Sequence, residues 1–282
     1  MSTWYEFRPT MPIFNTEPPW DDFRDPDELA TPIFVGGYDS GTGNYELELA
    51  FHSHRKAQLF FVVRGLVTCE SPQGLWTVPP QSALWIPGGE THRLHVAGQL
   101  AGYVVFLEPA LATTMPAGCC TAEVSPLLRE VLARCAELPL FYTETPQTQN
   151  LHRVLLDEIL SAHVEDLFLP MPKDARVRKL ADLLIKKPAD PATIGVWAKR
   201  VGVSERTLTR IITSETGMSF GRWRQQLHII LALRWMSAGK SVQAVSIDLG
   251  YEEPGSFITM FRKALGLSPA KFMARRLAAM TA

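Results

Sequence analysis

The sequence has few cysteines and no long apolar run, and each of these shortages excludes a class of protein. Its 282 residues include four cysteines (Cys69, Cys119, Cys120 and Cys135). None of them forms the C-x-x-C spacing of zinc ribbons and redox motifs, so we expect no disulfide framework and a reducing compartment. No apolar stretch approaches the ~20 residues of a membrane-spanning helix. The first residues also lack the charged start and apolar core of a secretory signal. We therefore expect a cytoplasmic protein without a membrane partner.

Charge is distributed very unevenly along the chain. Residues 173–282 contain 19 Lys and Arg against 8 Asp and Glu, a net charge of +11. Residues 1–172 contain 9 against 21, a net charge of −12. A strongly basic segment is typical of a region that binds a polyanion such as nucleic acid, although a basic surface that only maintains solubility has the same composition. The acidic part is a poor nucleic-acid binder by the same reasoning and needs another role.

Composition and length together predict two domains of the α+β class. The first 30 residues are rich in Pro and Asp and are interpreted as an N-terminal arm. Short apolar runs separated by Gly, Pro and Asn between residues 31 and 110 predict a small β-barrel or jelly roll. Residues 111–172 are interpreted as a helical linker or dimerisation segment, and the prolines Pro170 and Pro172 mark its end. Residues 173–282 then have the helical period of an all-α domain.

Two helices are predicted inside the linker segment. Ser125 followed by Pro126 is a typical helix start, and apolar residues recur at helical spacing to Cys135. A second helix is predicted from about Gln149 to Phe168. These helices either cap the barrel or pair with the same helices of a second subunit, which predicts a homodimer.

Three histidines in the barrel segment form a candidate site. His52 and His54 share one strand face, Gln58 follows four residues later, and His92 ends the segment 87–92. The pattern H-x-H, three residues, Gln58, six residues, Gly65 resembles the first motif of cupin barrels, and P-x-G-x-x-H at 87–92 resembles the second. In metal-binding cupins, the resemblance implies, the positions of His52, His54, Gln58 and His92 hold a divalent metal.

Three readings of these histidines remain open. Neutral imidazoles are good ligands for Zn, Ni or Fe, so the cluster is a candidate metal site. The cupin pattern usually has Glu where this chain has Gln58, and the change removes a negative charge that would offset the metal. The histidines alternatively line the pocket of a small-molecule effector, or are hydrogen-bonded residues of the barrel.

The basic segment contains two successive helix-turn-helix patterns. In the first, Ala198, Gly202 and Ser204 have the spacing of a short helix, a left-handed turn and the cap of a second helix, predicted from Glu205 to about Glu215. The second repeats the pattern, with Gly250 at the turn and a helix from Pro254 to about Leu265. An amphipathic helix predicted from about Phe220 to Ala238 connects them.

Residues 174–276 contain a longer signature that spans both units. It consists of Gly250-Tyr251, Ser256-Phe257, Phe261-Arg262, Gly266-Leu267-Ser268-Pro269 and Phe272, with Ser204, Leu208, Gly217, Phe220 and Arg224 in the first half. This signature resembles that of the AraC/XylS family of bacterial transcription regulators. The resemblance implies a sequence-specific regulator whose cupin-like domain senses an effector. The stretches HSHRKAQLFF (residues 52–61) and PLLRE (residues 126–130) resemble a subgroup that often acts on neighbouring efflux transporter genes, which implies control of such a gene. The family resemblance further implies contact with RNA polymerase if the protein is an activator.

The resemblance also implies which side chains contact double-stranded DNA. Candidates for base contacts are Arg206, Thr209 and Arg210 in the first unit and Gly255, Ser256 and Thr259 in the second. Candidates for phosphate contacts are Lys199, Arg222, Arg224, Arg262 and Lys263. Because the second set of base candidates is short and uncharged, we expect the second unit to contribute more backbone contact than base reading.

The sequence therefore favours a non-enzymatic, effector-responsive transcription regulator. Two alternatives remain. One is a metal-dependent cupin enzyme with an accessory DNA-binding domain, and the other is a DNA-binding protein whose barrel only dimerises it.

Overall fold

A computed structural model describes residues 25–41 and 45–278 of the chain. Most of the arm predicted for residues 1–30 lies outside these ranges. The described part of the arm includes one turn of 3-10 helix, Pro26–Glu28, where the Asp25 carboxylate accepts a hydrogen bond from the amide of Asp27 at 3.0 Å. The chain forms two compact units. One contains residues up to Val67 and Pro80–Asp166, and the other contains Thr68–Pro79 and the residues from Leu167 onward.

The described strands are divided between these units, and β3 contributes residues to both. They are β1 (Ile33–Asp39), β2 (Tyr45–His52), β3 (Ala57–Ser71), β4 (Gly74–Val78), β5 (Ser82–Ile86), β6 (His92–Leu107), β7 (Cys120–Glu123), β8 (Val164–Glu165) and β9 (Phe168–Pro170). In the first unit β1 and β2 each pair antiparallel with β6, and β5 pairs antiparallel with β3 and β7. The β-domain predicted for the N-terminal part is confirmed, and the strand pairs named here are antiparallel.

Two helices pack on this sheet. They are α1 (Pro126–Ala136), capped as predicted by the Ser125 hydroxyl, and α2 (Pro146–Ser161). Leu132 and Leu155 from these helices are fully buried in one core with Phe61 of β3. The predicted extension of the second helix to Phe168 is wrong. The helix ends at Ser161, because the residues that follow enter the short strands β8 and β9, whose backbone groups pair with other strands.

The second unit begins before the predicted boundary at residue 173. Strand β9 pairs with β4 in the register Gly74↔Pro170 and Trp76↔Phe168, and the rings of the latter pair stack with centroids 4.4 Å apart. A Cβ at Gly74 would collide with the Phe168 ring, so this close pairing requires glycine. Leu167 and Leu169 are buried in the core of the second unit, which explains why residues 167–172 belong to it.

The remainder of the second unit is helical, as predicted. Its helices are α3 (Ala175–Lys186), α4 (Ile194–Arg200), α5 (Glu205–Thr216), α6 (Phe220–Ser237), α7 (Val242–Asp248), α8 (Pro254–Leu265) and α9 (Pro269–Ala278). Within the described ranges, no helix has both the length and the apolar character needed to cross a bilayer.

Helix α6 differs from the amphipathic helix expected between the two helix-turn-helix units. Its bounds are close to the predicted ones, but all residues from Gln226 to Leu233 are buried, so the middle of the helix has no solvent-facing side. A helix that is buried all round is a central element of a core. The ring nitrogen of Trp223 donates a hydrogen bond to the carbonyl of Pro170 at 2.7 Å, which fixes α6 against the β4–β9 ladder.

Candidate functional site

The first helix-turn-helix unit is formed by α4 and α5 and follows directly from local sequence signals. Gly202 has a φ of +74° at the turn, and the amide of Val203 donates to the carbonyl of Ala198 at 3.0 Å. The Ser204 hydroxyl then accepts from the amide of Thr207 at 3.1 Å and caps α5. Leu208 is fully buried, so one face of α5 is anchored in the core and the opposite face points outward.

The three predicted base-contact residues of this unit share the outward face of α5. Arg206, Thr209 and Arg210 are exposed and lie on one shallow concave surface together with Thr213 and Ser214. Neither arginine has a hydrogen-bond or ion-pair partner in the described part of the chain, so both guanidinium groups remain available for a ligand. Thr213 and Ser214 were not among the sequence candidates, although their spacing of four residues from Thr209 and Arg210 places them on the same face.

The second helix-turn-helix unit is formed by α7 and α8. Gly250 has a φ of +84°, and a Cβ there would approach the Cα of Ala189 to 2.9 Å, so both conformation and space require glycine. Phe257 and Phe261 bury the inner face of α8. The outer face carries the remaining base candidates, and all of them are exposed: Gly255, Ser256 and Thr259.

Four of the five predicted phosphate-contact residues are exposed, namely Lys199, Arg222, Arg262 and Lys263. Arg224 is the exception, and the prediction that it contacts phosphate does not agree with its position. Its guanidinium is half-buried and donates to the carbonyls of Pro188 at 3.1 Å and Asp190 at 2.5 Å. It therefore stabilises the connection between α3 and α4 instead of facing outward. The sequence signature contains Arg224 but gives no sign that its partners are carbonyls more than thirty residues away.

The histidine cluster of the first unit lies at the end of β2 and the start of β6. His52 and His92 are register partners, and the register of β2 shifts between Leu49 and His52. Such irregularities redirect side chains relative to a regular strand. One ring nitrogen from each of His52, His54 and His92 lies within 4.8 Å of the other two. The structure thus brings together the three histidines that the sequence motifs singled out.

Hydrogen bonds orient all three rings in the same way. The Nδ1 atoms lie 2.8 Å from the carbonyl of Ala50 for His52, 2.6 Å from that of Lys56 for His54 and 2.9 Å from that of Glu90 for His92. A carbonyl oxygen only accepts, so each Nδ1 carries a hydrogen and, in the neutral ring, Nε2 carries the lone pair. These bonds reach residues only two positions away, but the sequence does not reveal them because they depend on local backbone direction.

Burial favours the neutral form of His92. His92 is fully buried and His54 is 6% exposed, whereas His52 is half-buried. Burial lowers the pKa of His92 to about 4; the bond to the Glu90 carbonyl opposes this shift, and the neighbouring His52 and His54 reinforce it. The fourth predicted residue, Gln58, is buried, and its Oε1 lies 3.2 Å from Nε2 of His54.

An antiparallel β-domain followed by a helical domain with two helix-turn-helix units is the architecture of a two-domain transcription regulator that binds DNA. Comparison with known protein families agrees with this class. A family model described as a helix-turn-helix domain matches residues 197–275, and one described as an AraC-like ligand binding domain matches residues 43–179. The protein belongs to the AraC family of helix-turn-helix transcriptional regulators, and double-stranded DNA is its partner.

Individual relatives support the same assignment. The chain is 41% identical over 233 residues to the HTH-type transcriptional regulator NimR of Escherichia coli K12, covering 83% of this chain and 85% of that protein. It is 31% identical over 121 residues to the regulator RipA of Corynebacterium glutamicum, covering 41% and 37% of the two chains.

Two solved structures are more distant. ToxT from Vibrio cholerae matches with a TM-score of 0.37 and 9% identity over 86% of this chain and 98% of that one. The DNA-binding domain of AdpA in complex with a target DNA matches with a TM-score of 0.34 and 26% identity over 36% and 91%. Both scores lie below 0.5, and the family assignment depends on the sequence matches.

Proposed function

We propose that the chain is an effector-responsive, sequence-specific transcription regulator in which α5 reads base edges and α8 mainly holds the DNA backbone. The observation that carries this proposal is the exposed face of α5, which contains Arg206, Thr209 and Arg210. The two arginine side chains have no hydrogen-bond or ion-pair partner within the described residues. An arginine forms a bidentate pair with guanine O6 and N7 in the major groove, and a threonine contacts a base through its hydroxyl or methyl group.

The residues of α8 support a role in backbone contact for the second unit, distinct from the base-reading role of α5. The first turn of α8 exposes Gly255, which has no side chain, and Ser256, whose side chain is small, and Thr259 follows one turn later. Small residues allow a close approach of the helix N-terminus to DNA, and its amide groups and positive dipole end favour a phosphate. Arg262 and Lys263, exposed further along α8, add positive charge.

The length of α6 is compatible with both units acting on one face of a duplex. Its 18 residues span about 27 Å at ~1.5 Å per residue. One turn of B-DNA is roughly 34 Å long, so α5 and α8 would enter successive segments of the major groove.

Selection of bound sites from random DNA tests the reading role of α5. Arg210→Ala should lose roughly 1–3 kcal/mol on the selected site and relax the preference at one base position. Arg206→Ala should have a smaller effect on sequence preference. Lys179→Ala is the matched control, since Lys179 is an exposed cation of α3 outside both helix-turn-helix units. An equal loss for Arg210→Ala on every duplex would show a phosphate contact instead and would remove α5 from its proposed role.

Effector response is the second part of the proposal. A ligand that binds the β-domain more tightly in one conformation would shift the population that binds DNA or contacts RNA polymerase in the cytoplasm. The match to an AraC-like ligand binding domain over residues 43–179 supports a sensing role. DNA affinity measured across a panel of small molecules tests it, and an affinity unchanged by every candidate would favour a β-domain that only dimerises the protein. Mapping bound sites in the genome tests the further expectation of a neighbouring transporter gene.

A homodimer through α1 and α2 completes the proposal. These helices leave Leu127, Val154 and Leu160 between 40% and 53% exposed, and these side chains are the apolar surface that we propose a second copy covers. A second copy is the occupant we propose, because two copies would place two readers on two half-sites. Light scattering of the full chain tests this, with Leu160→Glu expected to shift the mass toward the monomer. A monomer at all concentrations, with and without DNA, would contradict it.

A further inference from the structure

We propose that Glu205, the first residue of α5, is a specificity-determining residue that selects cytosine at one position of the DNA site. The proposal rests on the base-reading role proposed above for α5 and adds a residue of opposite charge to it. Three observations carry it: the position of Glu205 among the exposed residues of α5, its lack of a partner within the described ranges, and the small number of groups on DNA that can donate a hydrogen bond to a carboxylate.

Glu205 lies on the same concave surface as the residues that are proposed to contact bases. The six residues that line this surface form two rows along α5, because residues four apart lie above one another on one helix face. One row consists of Glu205, Thr209 and Thr213, and the other consists of Arg206, Arg210 and Ser214. All six residues are exposed. A duplex that contacts Thr209 and Arg210 therefore also comes within reach of the Glu205 carboxylate.

The fold does not use this carboxylate. It has no hydrogen-bond or ion-pair partner within residues 25–41 and 45–278. Glu215, near the other end of α5, shows the contrast, because its Oε2 accepts hydrogen bonds from the amides of Lys173 at 2.7 Å and Asp174 at 3.1 Å. The Glu205 carboxylate instead lies beside Gly195 of α4, where a Cβ would approach Oε2 to 2.8 Å. The glycine leaves space for the carboxylate but does not bind it, so the group can turn toward a ligand.

An unpaired carboxylate opposes binding to a polyanion. Each phosphate is negatively charged, so it repels Glu205, whereas Arg206 and Arg210 in the neighbouring row attract it. A residue that weakens binding to every duplex still increases specificity if one sequence compensates for the loss, because specificity is a difference between affinities. Glu205 has this effect if one base donates a hydrogen bond that offsets the repulsion.

The major groove presents two kinds of amino group that can donate to a carboxylate, N4 of cytosine and N6 of adenine. Guanine and thymine present acceptor atoms there, which repel a carboxylate. Adenine N6 lies next to the acceptor N7, whereas cytosine has no acceptor on its own major-groove edge. The order of preference expected for Glu205 is therefore cytosine, then adenine, with guanine and thymine least favoured.

Competition binding with the full chain tests the proposal. Sites selected from random DNA define the native preference, and duplexes with each of the four bases at each position measure it. Glu205→Gln keeps the shape of the side chain but adds a donor, so it should pair with N6 and N7 of adenine. Glu205→Ala removes the contact. Asp182→Asn is the matched control, since Asp182 is an exposed acidic residue of α3 outside both helix-turn-helix units.

One position of the site should respond to these variants. The ratio of the affinities for cytosine and adenine there should fall at least ~10-fold in Glu205→Gln, the size expected for one hydrogen bond to a charged acceptor. Glu205→Ala should lose the preference at that position. The affinity for random duplexes should rise about 3-fold in both variants, because the repulsion of phosphate is removed. Asp182→Asn should keep the native preference at every position.

An unchanged base preference in Glu205→Gln would overturn the proposal, because a residue that only stabilises α5 or repels phosphate acts equally on all sequences. The base-reading role of α5 would survive that result if Arg210→Ala still relaxes one position. A native chain that selects no sequence would overturn both proposals. Thermal denaturation identifies a variant that has lost its fold, and Glu205→Gln decides the outcome if Glu205→Ala is such a variant.

Discussion

Arg224 and Arg222 lie two residues apart on α6 but are expected to respond in opposite ways to the same substitution. Arg224 is half-buried and donates to the carbonyls of Pro188 and Asp190. Arg222 is exposed, and only its backbone amide has a described partner, the Ser219 hydroxyl. Replacing each by alanine separates a stabilising role from a DNA-contacting role within one turn of one helix.

The expected magnitudes follow from these contacts. Hydrogen bonds from a charged donor contribute roughly 1.5–3 kcal/mol, and partial exposure of Arg224 places the expected loss for its two bonds together at about 2–3 kcal/mol. Arg222→Ala removes no packed group and should change the free energy of unfolding by no more than about 0.5 kcal/mol. If Arg222 contacts a phosphate, its loss should reduce the salt dependence of DNA binding by about one counterion.

Two measurements on the full chain decide between the roles. Hydrogen–deuterium exchange of peptides covering residues 187–200 should become faster in Arg224→Ala and stay unchanged in Arg222→Ala. Only Arg224→Ala removes the hydrogen bonds to the carbonyls of Pro188 and Asp190, which lie between α3 and α4. The slope of DNA affinity against salt should decrease in Arg222→Ala. Unchanged exchange together with a flatter salt slope in Arg224→Ala would contradict the stabilising role, because Arg224 would then contact phosphate as the sequence predicted.

Two further predictions concern the second unit. Burial, with help from the charge of Arg224, lowers the pKa of His228 to about 4, so the folded state stays neutral while the unfolded chain takes up a proton near pH 6.5. His228 therefore stabilises the folded state above pH 6.5, and this contribution is lost as the pH falls toward 4. Between pH 7 and pH 5 it lowers the free energy of unfolding by roughly 2 kcal/mol. Urea titrations of His228→Gln should not show this decrease. A pH profile identical in the two proteins would contradict this. Gly250→Ala should lower the free energy of unfolding by more than about 1 kcal/mol, since Ala would adopt a φ of +84° and meet Ala189, whereas Gly221→Ala, which has open space, should not destabilise. Thermal denaturation compares the pair, and equal melting temperatures would show that the turn tolerates a side chain.

The elements whose signals are local were predictable from the sequence. Helix α5 begins after Ser204 and α8 ends before Gly266, and such caps and left-handed turns depend on neighbours within a few residues. The H-x-H spacing likewise predicted that His52 and His54 meet at one site, although His54 lies in the connection after β2 and not in the strand.

The elements that depend on distant partners were not predictable in this way. The extension of α2 to Phe168 failed because the chain there pairs with β4, and Trp76 contributes the stacking that holds it. The amphipathic character expected for α6 was wrong because the middle of the helix is buried on every side. The spacing of apolar residues along a helix does not indicate how many other elements pack around it.

Composition, local caps and short residue spacings were enough to predict two domains, the two helix-turn-helix units and the group of histidines. Contacts across the fold were needed to find that Arg224 binds carbonyls, that residues 68–79 and 167–172 belong to the second unit, and that three backbone carbonyls orient the histidine rings. These outcomes depend on which groups meet across the fold, and a hydrogen bond or a buried contact exists only when both of its partners are in place.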